Sequence, residues 1–120
     1  MDSSIDSNDP RDASEIISAC LKHLDKHPLD NHTREQLARV YFNRYGKPEL
    51  AWEEMNKLFA NPFQQPRDLS RWLNLMADWH LKKNNVDGAR QCLRQVISRF
   101  PDLPFREEAE SRLTRIKDAT

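Results

Sequence analysis

Residues 72–101 read WLNLMADWHLKKNNVDGARQCLRQVISRFP, and this stretch decides the fold. Apolar or small residues recur every three or four positions on both sides of the polar break at residues 83–85, which is the period of an α-helix. Pro101 ends the second segment, because proline cannot continue a helix. A connection this short forces the two helices to run antiparallel. The stretch therefore predicts a helical hairpin.

The prolines indicate that this hairpin is repeated along the chain. Pro28 and Pro62 are 34 residues apart, and Pro101 follows 39 residues later. A period of about 34 residues is typical of stacked helical hairpins, and an insertion at residues 61–66 (NPFQQP) accounts for the longer interval. Six helices are predicted, at residues 12–26, 32–45, 48–60, 67–84, 86–99 and 104–117.

Composition agrees with an all-α chain. There are only two glycines among 120 residues, and helices tolerate few of them. Residues 1–11 are polar and acidic, so we expect a disordered tail there. The single helical domain is expected at residues 12–117, followed by a short tail at residues 118–120.

The residue pattern resembles the tetratricopeptide repeat family. In residues 72–101 the matching positions are Leu73, Met76, Ala77, His80, Ala89, Leu93, Val96 and Pro101. A second copy, in residues 34–62, matches at Leu37, Ala38, Tyr41, Ala51, Met55, Leu58 and Pro62, although Arg34 takes a normally large apolar position. Ile16, Cys20 and Pro28 fit the second helix of an earlier, degenerate copy, and the C-terminal segment resembles junctions in bacterial members.

The resemblance implies a short right-handed superhelix of about six helices with a concave groove for a partner. In this family the first helix of each hairpin lines that groove. By register, the groove residues are His32, Glu35, Arg39, Asn43, Arg71, Asn74, Asp78 and Lys82. Their mixed charges and amides suit a peptide or protein bound by charge-assisted hydrogen bonds. The carboxylates of Glu35 and Asp78 argue against a terminal carboxylate as the ligand.

These features predict a non-catalytic protein-interaction module that needs no cofactor. Lys and Arg total 19 and Asp and Glu total 19, so there is no basic excess for nucleic acid. No apolar run of about 18 residues or signal peptide occurs, which predicts a cytoplasmic chain without membrane insertion. The alternative is a structural or oligomerisation role, or an accessory domain of a larger protein, including one associated with a membrane. The chain is expected to be a monomer or a weak dimer.

Four other groups of side chains could suggest different chemistry. Cys20, His23 and His27 share a helix face that could hold a metal, but apolar residues on that face make it a packing face. His80 is expected to be half-buried rather than a general base, and Cys92 to be an exposed, inert thiol. The pair Trp72 and Trp79 could form a binding hot spot, but the repeat pattern favours the core.

Overall fold

The computed structural model describes residues 12–61 and 64–119, and it describes side chains as far as residue 116. These residues form six α-helices and no strand: α1 (Ala13–Lys26), α2 (Asn31–Asn43), α3 (Pro48–Ala60), α4 (Pro66–Lys82), α5 (Val86–Arg99) and α6 (Pro104–Ala119). The all-α prediction is confirmed. The predicted tail at residues 1–11, the repeat position Pro62 and the last residue, Thr120, lie outside the described residues. The helix α6 continues through most of the tail predicted at residues 118–120.

Local signals in the sequence explain where the helices begin. The Asp12 side chain accepts a hydrogen bond of 2.9 Å from the backbone N–H of Glu15 and so caps α1. Asp30 caps α2 in the same way through the backbone N–H of Thr33. The helices α3, α4 and α6 each begin at a proline, whose missing N–H has no intrahelical partner at that position.

The chain divides into two compact units, Met1–Pro62 and Phe63–Thr120. The division falls within the predicted insertion at residues 61–66. In the first unit α2 packs against both α1 and α3, and the connections of four residues make consecutive helices antiparallel. Its fully buried apolar residues include Leu37, Ala38, Val40, Ala51, Met55 and Leu58.

An ion pair lies inside the first unit, where the repeat pattern favours a large apolar side chain. The Arg34 guanidinium on α2 donates to Glu54 of α3 over 2.7 Å and to the Pro28 carbonyl over 3.0 Å. Lys57 also contacts the Glu54 carboxylate, at 3.2 Å. The Arg34 and Glu54 side chains are only 12% and 7% exposed, so this pair joins α2 to α3 away from solvent.

The prediction that the second helix continues to residue 45 is wrong. The helix ends at Asn43, and Tyr45 follows it with 45% of its surface exposed. Its backbone N–H donates to the Val40 carbonyl, and Gly46 then adopts a left-handed φ of +70°. Tyr45 therefore lies in the turn that follows α2 and stays outside the core. Gly46 is the helix-ending glycine that its position predicts.

In the second unit α5 packs against both α4 and α6. Trp72 and Trp79 are 1% and 2% exposed, which confirms that they are core residues. The prediction of an exposed Cys92 is wrong, because its exposed fraction is 5%. Since α5 has a neighbour on each side, it buries Cys92 in addition to the predicted Ala89, Leu93 and Val96.

Among the residues that the structure describes, no helix combines the length and apolar character that crossing a bilayer requires.

Candidate functional site

The four candidate groove residues of the first unit lie along α2. His32 is exposed and its ring contacts the Gln36 amide at 3.0 Å. Glu35 is buried, and its carboxylate accepts hydrogen bonds from Nε and an Nη atom of Arg39 at 3.2 and 2.8 Å. Asn43 is exposed at the last position of α2. Hydrogen bonds therefore fix the side chains of Glu35 and Arg39 relative to each other.

The four candidates of the second unit lie along α4. Arg71 is exposed, lies 3.5 Å from the Asp68 carboxylate and stands 6.0 Å from the ring centre of Trp72. Asn74 is half-buried, and its amide donates to the Ser70 carbonyl. Asp78 and Lys82 are exposed on the next two turns. This face of α4 therefore keeps charged side chains in solvent while Trp72 is buried beneath Arg71.

One arginine from α6 joins two of these α4 residues. The Arg112 guanidinium donates to the Asn74 side-chain oxygen over 2.8 Å and to the Asp78 carboxylate over 2.6 Å. Arg112 is 22% exposed at its side chain, whereas Asp78 is 54% exposed. Two hydrogen bonds from one planar guanidinium fix its orientation. The partly buried Arg112 therefore has a defined position between α4 and α6.

A cleft of about 440 Å³ lies beside this arginine. Its walls come from α4 and α6, and it is lined by Asn74, Glu107, Glu108, Ser111, Arg112 and Arg115. Arg115 donates to the Ser111 hydroxyl over 3.1 Å. Here we call these six residues and Asp78 the α4–α6 cleft. Its carboxylates, guanidinium groups, amide and hydroxyl offer both donors and acceptors for hydrogen bonds.

The structure brings together some of the predicted site residues. It pairs Glu35 with Arg39 in the first unit, and it links Asn74 to Asp78 through Arg112 in the second. The residues on α2 and those on α4 belong to different units. Both carboxylates that argued against an anionic ligand, on Glu35 and Asp78, are engaged by an arginine of the chain itself. Their negative charge is therefore largely compensated.

The sequence reasoning missed Arg112 and Arg115. A signal for them was present, because the register that assigned groove residues to the second and fourth helices can be extended to the sixth. The groove residues predicted from the sequence came only from the second and fourth helices, so none lay on the sixth.

Burial shifts the pKa of two side chains that could act as a nucleophile or a general base, those of Cys92 and His80. Burial raises the pKa of the Cys92 thiol to about 11, so the thiolate that would act as a nucleophile is scarce at neutral pH. Burial lowers the pKa of His80, which is half-buried as expected. His23 contacts the Asp30 carboxylate at 2.7 Å. Within residues 12–61 and 64–116, no three His, Cys, Asp or Glu side chains come together as a metal site.

No protein-family model matches this chain, and neither a curated protein nor a solved structure is significantly similar to it.

Proposed function

We propose that the chain is a tetratricopeptide-like repeat protein that binds a peptide or protein partner without catalysing a reaction. The observation that carries the proposal is the α4–α6 cleft, in which Asn74 and Asp78 hold Arg112 in one orientation. In a repeat of this kind, α4 and α6 are both first helices and their exposed faces line the groove. The polar cleft between them supports a binding role for that groove.

The chemistry of the cleft suits a peptide. Interfaces of proteins with peptides use a limited number of fixed polar contacts to set register and orientation. A guanidinium that is already held in place loses less conformational entropy when a partner binds. We also infer that the partner is a protein rather than a nucleic acid, since acidic and basic residues are equal in number. We infer a cytoplasmic location because Cys20 and Cys92 form no disulfide.

A peptide library provides the test. We expect the full chain to select members of a displayed library of random peptides, with dissociation constants in the micromolar range. The substitutions Arg71→Ala and Arg115→Ala should each weaken the selected peptides by about tenfold, or 1.4 kcal/mol. Both side chains are exposed, so circular dichroism should show an unchanged fold. Arg39→Ala tests the candidate groove residues of α2 in the same way.

Arg94→Ala is the matched control. Arg94 is also exposed, but it lies on α5 and lines a different cleft with Arg90, Leu113 and Thr114. Its replacement removes the same charge and should leave peptide affinity unchanged. The proposal fails if no library member binds, or if Arg94→Ala weakens binding while Arg71→Ala and Arg115→Ala do not.

A further inference from the structure

The turn between α4 and α5 contains the C-terminal cap of α4 and the N-terminal cap of α5, and Asn85 takes part in both. Asn84 has a left-handed φ of 59°, its N–H donates to the Leu81 carbonyl over 3.0 Å, and the next N–H, of Asn85, donates to the His80 carbonyl over 2.8 Å. These two bonds are those of a Schellman motif, which satisfies carbonyl groups left open at the end of a helix. The backbone of Asn85 therefore closes α4.

The side chain of Asn85 opens the next helix. Its Oδ1 atom accepts a hydrogen bond of 3.0 Å from the backbone N–H of Gly88, which makes Asn85 the N-cap of α5. That bond determines which end of the amide is the oxygen, because an N–H can only donate to an acceptor. The Nδ2 atom of Asn85 consequently faces Nδ1 of His80, at 3.2 Å.

This contact favours the neutral form of the imidazole. An amide Nδ2 group only donates hydrogen bonds. For this contact to be a hydrogen bond, His80 Nδ1 must accept, as it does in the neutral ring that carries its hydrogen on Nε2. Asn85 cannot reverse its amide to suit a charged ring, since the reversal would point Nδ2 at the N–H of Gly88 and remove the cap from α5.

The contact between ring and amide lies directly against Gly88. A Cβ atom at Gly88 would lie 2.7 Å from Asn85 Nδ2 and 2.7 Å from His80 Nδ1. The ring and the amide therefore occupy the space that a side chain at this position would fill.

We propose that the stability of this turn depends on pH. A proton on His80 Nδ1 repels the N–H groups of the Asn85 amide and thereby destabilises the α4–α5 hairpin. After protonation, the N–H group at His80 Nδ1 and the Nδ2 group of Asn85 are both donors and cannot form a hydrogen bond with each other. Either the contact between ring and amide is lost, or Asn85 gives up its bond to Gly88. Both outcomes weaken the connection that closes α4 and begins α5, and this inference does not depend on the proposed function.

Other charged groups lie on α4 itself and on the helices α5 and α6 of the same unit. On α5, Asp87 and Arg90 pair with each other at 3.3 Å, and on α6 Arg112 is engaged by Asp78. On α4 itself, Lys82 is exposed in the last turn, followed by exposed Lys83. Burial is the cause that lowers the pKa of His80, although this end of α4 is one where the helix dipole favours a cation.

The direction of the pH effect follows from this lowered pKa. The unfolded chain, in which His80 has its ordinary pKa of 6.5, binds the proton more readily than the folded chain. The stabilisation is complete above that value and is lost as the pH falls through the lower pKa of the folded state. Acid should therefore favour opening of the hairpin.

The substitution Asn85→Asp tests the proposal, because it exchanges the donor for an acceptor of the same shape. Aspartate is as good an N-cap as asparagine, so α5 keeps its cap, while the second carboxylate oxygen can accept from a protonated His80. In an NMR titration of the full chain, we expect His80 to titrate below 6.5 in the wild type. Asn85→Asp should move the titration above that value and reverse the loss of stability in acid.

Asn84→Asp is the control for added charge. It places a carboxylate one residue away in the same turn, without the hydrogen bond to the ring, and should leave the His80 titration below its ordinary value. A wild-type His80 that titrates at or above 6.5 would overturn the proposal. So would an Asn85→Asp variant whose His80 titrates no higher than in Asn84→Asp.

Discussion

Replacement of Glu54 by alanine is expected to lower the free energy of unfolding by about 3–5 kcal/mol, because it leaves a buried charge without its partner. The Arg34 side chain is 12% exposed and lies 2.7 Å from the Glu54 carboxylate. Of its described hydrogen bonds, only the one to the neutral Pro28 carbonyl would remain. A single carbonyl cannot compensate for the desolvation of a guanidinium.

Glu53→Ala is the matched control for this variant. Glu53 is the preceding residue of the same helix, but it is exposed. Its replacement removes the same charge and makes the same change in helix propensity, so stability should change by no more than about 0.5 kcal/mol. Urea unfolding of the full chain, followed by circular dichroism, measures both variants. Equal losses for Glu53→Ala and Glu54→Ala would show that the buried pair is not the cause.

A double substitution separates the pair's net contribution from the cost of breaking it. In Arg34→Met with Glu54→Leu, both charges are replaced by apolar side chains of similar volume. Such exchanges of buried ion pairs are often neutral or stabilising. We therefore expect the double variant to be considerably more stable than Glu54→Ala. A double variant as unstable as Glu54→Ala would indicate that the site requires charge.

The helices could be predicted from the sequence because local chemistry specifies their ends. Asp12 and Asp30 can cap only the helices that follow them, and Pro48 and Pro104 can begin a helix but not continue one. These signals act over three or four residues, and a single sequence shows them directly. The end of α2 was missed because the apolar period continues to Tyr45, whereas the helix ends at Asn43 and the chain then turns through Gly46.

The site was less predictable because its decisive contacts are long-range. Helical period alone placed Asn74 and Asp78 on one face of α4. Their common partner, Arg112, is 38 and 34 residues away in the sequence, and periodicity within one helix cannot identify a partner on another. The same reason applies to Arg34, whose partner Glu54 is 20 residues away. A charged residue at an apolar position is a signal of a buried pair, but it does not name the second member.

Trp72→Ala is expected to lower the free energy of unfolding by about 3–5 kcal/mol, the usual cost of removing a large buried side chain. Trp72 is 1% exposed on α4, the helix that packs against α5. Alanine would leave a cavity that the surrounding helices can only partly fill. Trp72→Phe keeps much of the volume and should therefore be less destabilising than Trp72→Ala.

Leu103→Ala is the matched truncation at an exposed apolar residue of the same unit. Leu103 is 38% exposed and precedes α6, so its loss should cost far less than that of Trp72. Urea unfolding of both variants distinguishes the core role of Trp72 from the alternative of a partner-binding hot spot. A core residue changes stability whether or not a partner is present. A Trp72→Ala variant with wild-type stability would contradict the core assignment and make the tryptophan a candidate contact for the partner.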